Sequence, residues 1–342
     1  MVRLGLIGAG VIGARHMGAM DAVEDVELVG IADPTPAAKA NADERGVPFF
    51  TDTEALLADK KPDGVVVCTP TEHHLAPCLQ ALEAGAHVFV EKPICATVAE
   101  AEQIVEKSKA VQRHALVGHQ RRYYPQVHKA REMVQGGALG TLVAVNGQWT
   151  VRKVADYYDA DWRKRWQAGP IVTNLIHDMD STRYICGEIE SIVAETTNNI
   201  FGWDKEDTAA LVIRFKNGAL GSFILSDQAT SPWAWEMALG ENIAVPQNGQ
   251  NAMRFMGRDA SLEFPNLVLW KHASEPHDWT RPIASEELPF TAEDAYEVQM
   301  RHFCAVIRGE EEPRVDAADA TRTLAATVAV HEAARSGKRV ML

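Results

Sequence analysis

From Val2 to Gly118 the chain alternates short apolar runs with stretches whose apolar residues recur at helical spacing. The runs Val2–Ile7, Val26–Ala32, Gly64–Cys68, His87–Val90 and Ala115–Gly118 are too short for helices and nearly continuous, which predicts strands covered on both faces. The intervening stretches Val11–Met20, Pro36–Arg45, Thr53–Ala58, His73–Ala84 and Val98–Ser108 read as helices. Strand and helix in strict alternation imply parallel strands joined by right-handed crossovers, hence a doubly wound α/β sheet.

Past Tyr123 the rhythm changes. A helix over Val127–Gln135 precedes an alternating run, Thr141–Val151, and then further strand-length segments: Ser191–Asn198, Thr208–Phe215, Ala219–Ser226, Trp235–Ile243, Met253–Met256 and Leu267–Trp270. Lys216-Asn217-Gly218 supplies a hairpin turn between two of them, and successive hairpins build a large, mainly antiparallel open sheet. Helices over Ala292–Arg308 and Ala317–Ser336 close the chain, with Gly309 and Gly337 at their expected stops. The stretch Ala244–Asn251 reads as a surface loop. The expected division is an α/β domain over residues 1–122 and an α+β domain over 123–342, with closing helices that can pack back on the first domain. A length of 342 residues suits two domains of about 100–200 residues each.

Charge narrows the partners. With 34 Lys and Arg against 47 Asp and Glu, the net charge of −13 removes the bulk attraction for phosphate backbones, so nucleic acid is not expected. No run approaches the ~18–20 apolar residues that span a bilayer, so no membrane association is expected. Cys68, Cys78, Cys95, Cys186 and Cys304 are odd in number and never spaced as CxxC, which argues against disulfides and structural zinc. The adjacent His73 and His74 lack further ligands at metal spacing, so no metal site is expected. A cytoplasmic protein with reduced thiols follows.

The first strand runs into Gly8-Ala9-Gly10-Val11-Ile12-Gly13. Gly8 permits the tight turn, Gly10 lets backbone approach a pyrophosphate, and Gly13 lets helix pack on strand. The helix N-terminus at Val11 and Ile12 then presents unpaired N–H groups and a positive dipole end to the phosphates. Twenty residues past Gly13 a second strand ends at Asp33, placed to bind an adenosine ribose. A carboxylate there repels a 2′-phosphate, and Pro34-Thr35-Pro36-Ala37-Ala38 brings no base, so NAD is expected in preference to NADP.

The fourth long strand ends Val90-Glu91-Lys92-Pro93, at the edge where ligands of open α/β sheets bind. A lysine there can donate to a substrate oxygen and stabilise a forming alkoxide. Gly8–Gly13, Asp33, Thr69-Pro70 with His74 four residues on, and Glu91-Lys92-Pro93 together resemble, in order and spacing, the glucose–fructose oxidoreductase/inositol dehydrogenase/rhizopine-catabolism (Gfo/Idh/MocA) family. The resemblance spans the first domain and agrees with the α+β second half. It implies a Rossmann domain, with Thr69, Pro70, His74, Glu91 and Lys92 added to the cofactor site, and hydride transfer between a nicotinamide and a secondary alcohol or ketone. It also implies that Lys92 orients substrate and takes part in proton transfer, and that the Lys92–Pro93 peptide is cis.

Within Gly169–Asp180 the chain resembles the family's helix that carries an Asp and a His four residues apart, a spacing that shares one helical face. His177 matches the histidine and suits a general base near neutral pH. The aspartate's place is taken by Thr173, so Thr173 and Asn174 are expected only to orient a substrate hydroxyl, while Lys92 and His177 handle the proton. Asp178 and Asp180 are open between surface and supporting roles. Arg121, Arg122 and Tyr123 follow the fifth strand, Arg163 lies in a segment resembling the loop that borders substrate, and Trp149 sits on the first long strand of the second half. These five are candidate substrate contacts, suited to a cyclic polyol or sugar with or without a carboxylate. Arg152-Lys153 and Arg163-Lys164-Arg165 are short basic runs in an acidic chain and read as solvated surface rather than as a phosphate partner's site. The expected activity is NAD-dependent oxidation of a secondary hydroxyl of a polyol, sugar or sugar acid to a ketone or lactone. The alternatives are a cyclic dihydrodiol or carboxylated ring as substrate, or a non-catalytic NAD-binding regulator. Two apolar faces on the second sheet predict a homodimer or homotetramer built through it.

Overall fold

Strand β1 (Val2–Ile7) pairs in parallel with β2 (Val26–Ala32) on one side and β4 (Gly64–Val67) on the other, so the chain reverses its direction of travel across the sheet at β1. The computed structural model describes residues 1–241 and 245–342, and divides them into two compact units.

The first unit comprises Met1–Tyr123 and Glu293–Leu324. With β3 (Phe49–Phe50), β5 (His87–Val90) and β6 (Ala115–Val117) it forms a six-stranded parallel sheet in the order β3-β2-β1-β4-β5-β6. Five helices connect these strands: α1 (Val11–Ala22), α2 (Pro36–Arg45), α3 (Thr53–Lys60), α4 (Leu75–Glu83) and α5 (Val98–Val111). All four residues of β4 are buried, as a strand covered on both faces requires. The two-residue β3 is too short to leave a periodic signal in the sequence.

The second unit comprises Tyr124–Ala292 and Ala325–Leu342. It opens with α6 (Pro125–Gln135), two residues earlier than the sequence suggests because Pro125 occupies the first turn, where no N–H is needed. Strand β7 (Leu142–Thr150) follows, then α7 (Ile176–Cys186), β8 (Ile189–Thr197), β9 (Thr208–Phe215), β10 (Leu220–Ser226), the short helix α8 (Trp235–Leu239), β11 (Met253–Gly257), β12 (Ala260–Phe264), β13 (Val268–His272) and β14 (Ile283–Glu287). Helix α9 (Ala295–Ile307) belongs to the first unit, where Met300, Phe303, Cys304 and Val306 share a core with Val2, Leu4 and Phe89. Helix α10 (Ala317–Ser336) begins in the first unit and ends in the second, and β15 (Val340–Met341) finishes the sheet. That sheet has nine strands in the order β14-β13-β12-β11-β7-β10-β9-β8-β15. Every pair is antiparallel except β7 with β10.

Residues of β9 and β10 alternate between buried and open positions up to Leu225, after which Ser226 is buried as well. The buried set, with Phe215, Phe223 and Leu225, meets Met179, Ile185 and Val330 from α7 and α10 in one core. The opposite face leaves Val143, Val212, Leu220 and Ile224 about half exposed.

One expected strand differs. The segment from Trp235 is a helix rather than a strand: Trp235 and Ala238 are buried one helical turn apart, and Gly240 ends the turn in the left-handed region. A short apolar run carries no period that separates the two. The remainder of the expected strand and the start of the expected loop, residues 242–244, lie outside the described residues. Strands β12, β14 and β15 are not among the expected ones; all five residues of β14 are exposed, so no hydrophobic alternation marks it. Its Glu286 and Glu287 suit the edge of the sheet, where charge discourages further pairing.

Candidate active site

In the first unit the turn from β1 into α1 is built by three glycines with different constraints. Gly8 adopts φ +90°, and a Cβ there would lie 2.7 Å from the Cys68 carbonyl carbon. A Cβ on Gly13 would lie 2.2 Å from the Gly8 carbonyl oxygen. Both are required by the protein's own backbone. Gly10 is different: a Cβ there would meet nothing within 4 Å, so no protein atom explains it. No side chain caps α1, and no acidic residue occupies its first turn, although such groups usually satisfy the open N–H groups. Val11 is 89% exposed and Ile12 39% exposed beside them. An open backbone approach, uncapped N–H groups and exposed apolar side chains fit a pyrophosphate and its flanking groups.

Asp33 closes one side. Its Oδ2 accepts from the Ala9 N–H at 2.9 Å, and its Oδ1 accepts from the Thr35 N–H at 2.8 Å and the Thr35 hydroxyl at 2.6 Å. Burial opposes ionisation, but these donors outweigh it and hold the carboxyl below its ordinary value. An ionised carboxylate with lone pairs to spare can accept ribose hydroxyls.

The other motifs are mechanically joined. His74 is 1% exposed; its Nδ1 lies 2.9 Å from the Pro93 carbonyl oxygen, and its Nε2 lies 2.8 Å from that of Thr69. One imidazole thus ties the Thr69-Pro70 turn to the segment after Lys92, where the Lys92–Pro93 peptide is cis. Burial pushes the His74 pKa down against the pull of those carbonyls. Glu91 is held as firmly: Oε1 lies 2.7 Å from His16 Nε2, and Oε2 accepts the Lys92 N–H at 3.0 Å. Burial alone would raise its pKa, yet the His16 hydrogen bond and the nearby Lys92 charge bring it below the usual range. Lys92 therefore leaves the end of β5 from a backbone fixed on both sides, and its side chain is only partly buried.

Arg121, Arg122 and Tyr123 are buried within the first unit. Arg122 pairs with Asp319, and Tyr123 packs against the His302 ring with the Arg314 guanidinium 5.3 Å above it. Their sequence position hides this, because the partners lie almost two hundred residues away.

In the second unit, Thr173 and Asn174 do not lie on the regular α-helix that the spacing suggests. Ile171–Leu175 forms a π turn, and α7 begins at Ile176. Such turns recur at functional sites. The Thr173 hydroxyl lies 3.0 Å from the Gly169 carbonyl oxygen and 2.8 Å from Asn174 Oδ1. With its side-chain oxygen so engaged, the half-buried Asn174 keeps its amide N–H groups as donors. His177 stands in the first turn of α7, 7% exposed, beside the buried Asp178 and Asp180. Trp149 is a core residue, 3% exposed, and its indole N–H donates to Glu236 at 2.9 Å.

The π turn rests on a residue that sequence reasoning missed. Glu206 accepts the Ile171 N–H at 2.9 Å, and a Cβ on Gly169 would lie 2.3 Å from its carboxylate. Burial pushes this carboxyl up to about 7, the Ile171 hydrogen bond and the Lys205 charge opposing and Asp227 adding to the rise. His331 Nε2 stands 4.0 Å away, with its own pKa lowered by burial. A proton held to about 7 when folded but released near 4.5 when unfolded stabilises most below 4.5, and that stability is lost as the pH climbs to about 7. The contribution is roughly 3 kcal/mol. Glu206→Gln is expected to flatten this slope, seen as closer urea midpoints at about pH 5 and about pH 7 than in the wild type.

No group of three His, Cys, Asp or Glu suited to a metal occurs among the described residues, and no described helix is long and apolar enough to cross a membrane.

Comparison with known proteins places these features in a family. Residues 2–119 match the model described as an oxidoreductase family with an NAD-binding Rossmann fold, and residues 127–263 match the GFO/IDH/MocA C-terminal domain. The chain is 30% identical over 232 residues to myo-inositol 2-dehydrogenase of Thermotoga maritima, covering 64% of this chain and 67% of that one. It is 28% identical over 349 residues to the NAD(+)-dependent scyllo-inositol 2-dehydrogenase of Bacillus subtilis, covering 100% and 96%. Among solved structures, the WlbA dehydrogenase of Chromobacterium violaceum, in complex with NADH and UDP-GlcNAcA, superposes with a TM-score of 0.82 at 25% identity, covering 100% and 96%. The glycine turn, the motifs that His74 joins and the matched second domain therefore make this chain a member of the GFO/IDH/MocA oxidoreductase family.

Proposed function

We propose that this protein is an NAD-dependent dehydrogenase that oxidises a secondary hydroxyl of a polyol, sugar or sugar acid to the ketone or lactone. The first unit takes the cofactor, and the second takes the substrate. The observation that carries the reading is Lys92, anchored at the carboxyl end of β5 in the same sheet whose β1–α1 turn has the uncapped, open Gly10 approach. The two inositol dehydrogenases among its relatives support a polyol or sugar substrate.

NAD, when bound, supplies the acceptor for the hydride leaving the carbinol carbon. Lys92 Nζ donates to the oxygen that becomes the carbonyl and stabilises negative charge as it develops there. The His177 imidazole takes up the hydroxyl proton. The Asn174 amide donates to a neighbouring hydroxyl and orients the ring. A purified preparation should form NADH with at least one member of a panel of inositols, aldoses and sugar acids. A fully silent panel from protein that binds NAD would overturn the reading.

The preference for NAD rests on Asp33. Asp33→Ala is expected to weaken NAD binding about 10- to 100-fold, the cost of charge-assisted hydrogen bonds, and to narrow the gap to NADP. An unchanged cofactor preference would remove Asp33 from the ribose site.

The half-exposed Val143, Val212, Leu220 and Ile224 support a homodimer or homotetramer through the large sheet. A monomer mass by light scattering would contradict it. The five free thiols fit a reducing compartment, and we place the enzyme in the cytoplasm.

A further inference from the structure

After β7 ends at Thr150, the chain turns so that Lys153 and Arg163 converge on one aromatic ring. The Lys153 ammonium lies 4.2 Å from the centroid of Tyr157, and the Arg163 guanidinium carbon is also 4.2 Å from it. Trp149 adds a second aromatic wall, 5.6 Å from the same ammonium. Neither cation is where a solvated surface run would put it, since both are partly buried.

Among the described residues, neither Lys153 nor Arg163 makes an ion pair. The Lys153 ammonium has no hydrogen-bond acceptor there. Arg163 donates from Nη1 to the Tyr157 carbonyl at 2.6 Å, and its Nε is buried with no partner. Desolvation lowers the Lys153 pKa to about 8; Lys205 and Arg163 push the same way, and Asp227 and Glu236 oppose them. The carboxyl groups of this cluster are already engaged: Asp227 with Lys205, Glu236 with the Trp149 indole, and Glu206 with the Ile171 N–H. Lys153 and Arg163 are thus left without a carboxylate of their own at a partly buried position.

Two like charges converge on a ring at a cost in repulsion and desolvation. Surface cations normally avoid it by turning outward. A bound anion removes both penalties, and the two oxygens of a carboxylate match one ammonium and one guanidinium. The segment is also tied to the π turn. The Lys153 N–H donates to the Asp227 carbonyl, Asp227 holds Lys205, and the adjacent Glu206 holds the Ile171 N–H.

We propose that Lys153 and Arg163, stacked on Tyr157, form a carboxylate subsite, and that the substrates this protein favours are sugar acids or other carboxylated polyols. This rests on the reading that the second unit takes the substrate.

The test is calorimetric binding to the NADH-loaded enzyme of hexuronates and aldonates, each against its uncharged amide. At least one acid should bind about 10- to 100-fold tighter than its amide, as charge-assisted contacts predict. Lys153→Gln and Arg163→Gln should each bring that ratio close to one, and Lys153→Arg should keep part of it. Thermal melting checks that the variants fold. Acylation of Lys153, read by peptide mass, should be slowed by the preferred acid and not by its amide, and the Arg163→Gln background should lose that protection. If no acid outbinds its amide, or if hexose phosphates outbind every carboxylate, the subsite is wrong. Turnover of neutral polyols without a preference for acids would sink this inference and leave the dehydrogenase reading standing. Binding of acids through Lys153, with no NADH from any compound, would do the reverse.

Discussion

Lys92→Ala should lower the chemical step by about 10²–10⁴-fold, the range for removing a positioned proton-transfer group, with NAD affinity nearly intact. The expectation follows from how the residue is held. The Lys92 N–H is bound by Glu91, Glu91 is held by His16, and His74 fixes the carbonyl of Pro93 directly after it. Truncating the side chain leaves these anchors in place, so the loss falls on the chemistry and not on the fold. Single-turnover NADH formation, measured beside a binding isotherm for NAD, separates the two effects. Wild-type turnover from the variant would mean that another group handles the substrate oxygen, and the proposed site would have to move.

Asp227→Ala is expected to cost the second unit about 3–5 kcal/mol, the penalty for stranding a buried charge. Asp227 is fully buried and Lys205 nearly so, and the ammonium donates to its carboxylate at 2.5 Å. Lys205 also lies 3.3 Å from the Glu206 carbonyl oxygen and 5.2 Å from the Tyr158 ring, neither of which can replace a negative charge. The Asp227 carboxylate serves further partners: Gln228 donates to it at 3.0 Å, and its charge adds to the burial that raises the Tyr158 phenol well above its ordinary pKa. The double variant Lys205→Met/Asp227→Leu should recover much of the loss, because it leaves neither charge unpaired. Denaturant melts of the wild type and the three variants form the cycle. A single variant within about 1 kcal/mol of wild type would show that water or a rearranged neighbour takes over the charge.

The two experiments probe different kinds of information. Lys92 stood out in the chain through the family resemblance that Gly8–Gly13, Asp33, Thr69-Pro70, His74 and Glu91-Lys92-Pro93 carry together, at a strand end where ligands of open α/β sheets bind. Lys205 and Asp227 carry no such mark. Lys205 lies in the charged run Asp204–Asp207 before β9 and Asp227 directly after β10, and only pairing across β9 and β10 brings them together. Glu206 is similar: its raised pKa depends on burial beneath the π turn, which begins thirty-five residues earlier.

By itself the sequence determined the doubly wound sheet, the glycine turn from β1 into α1, the position of Asp33 at the end of β2, and the hairpin at Lys216-Asn217-Gly218. These depend on side-chain period and turn chemistry, which act over a few neighbouring residues. The tertiary structure alone decided that α9 joins the first core, that Trp235 starts a helix, and that a π turn precedes His177. It also decided that Lys153, in a run that reads as solvated surface, turns inward beside Arg163 onto Tyr157. The physical reason is common to all of them. The environment of a buried charge or a short apolar run is set by distant segments packed against it, and local sequence does not encode that environment.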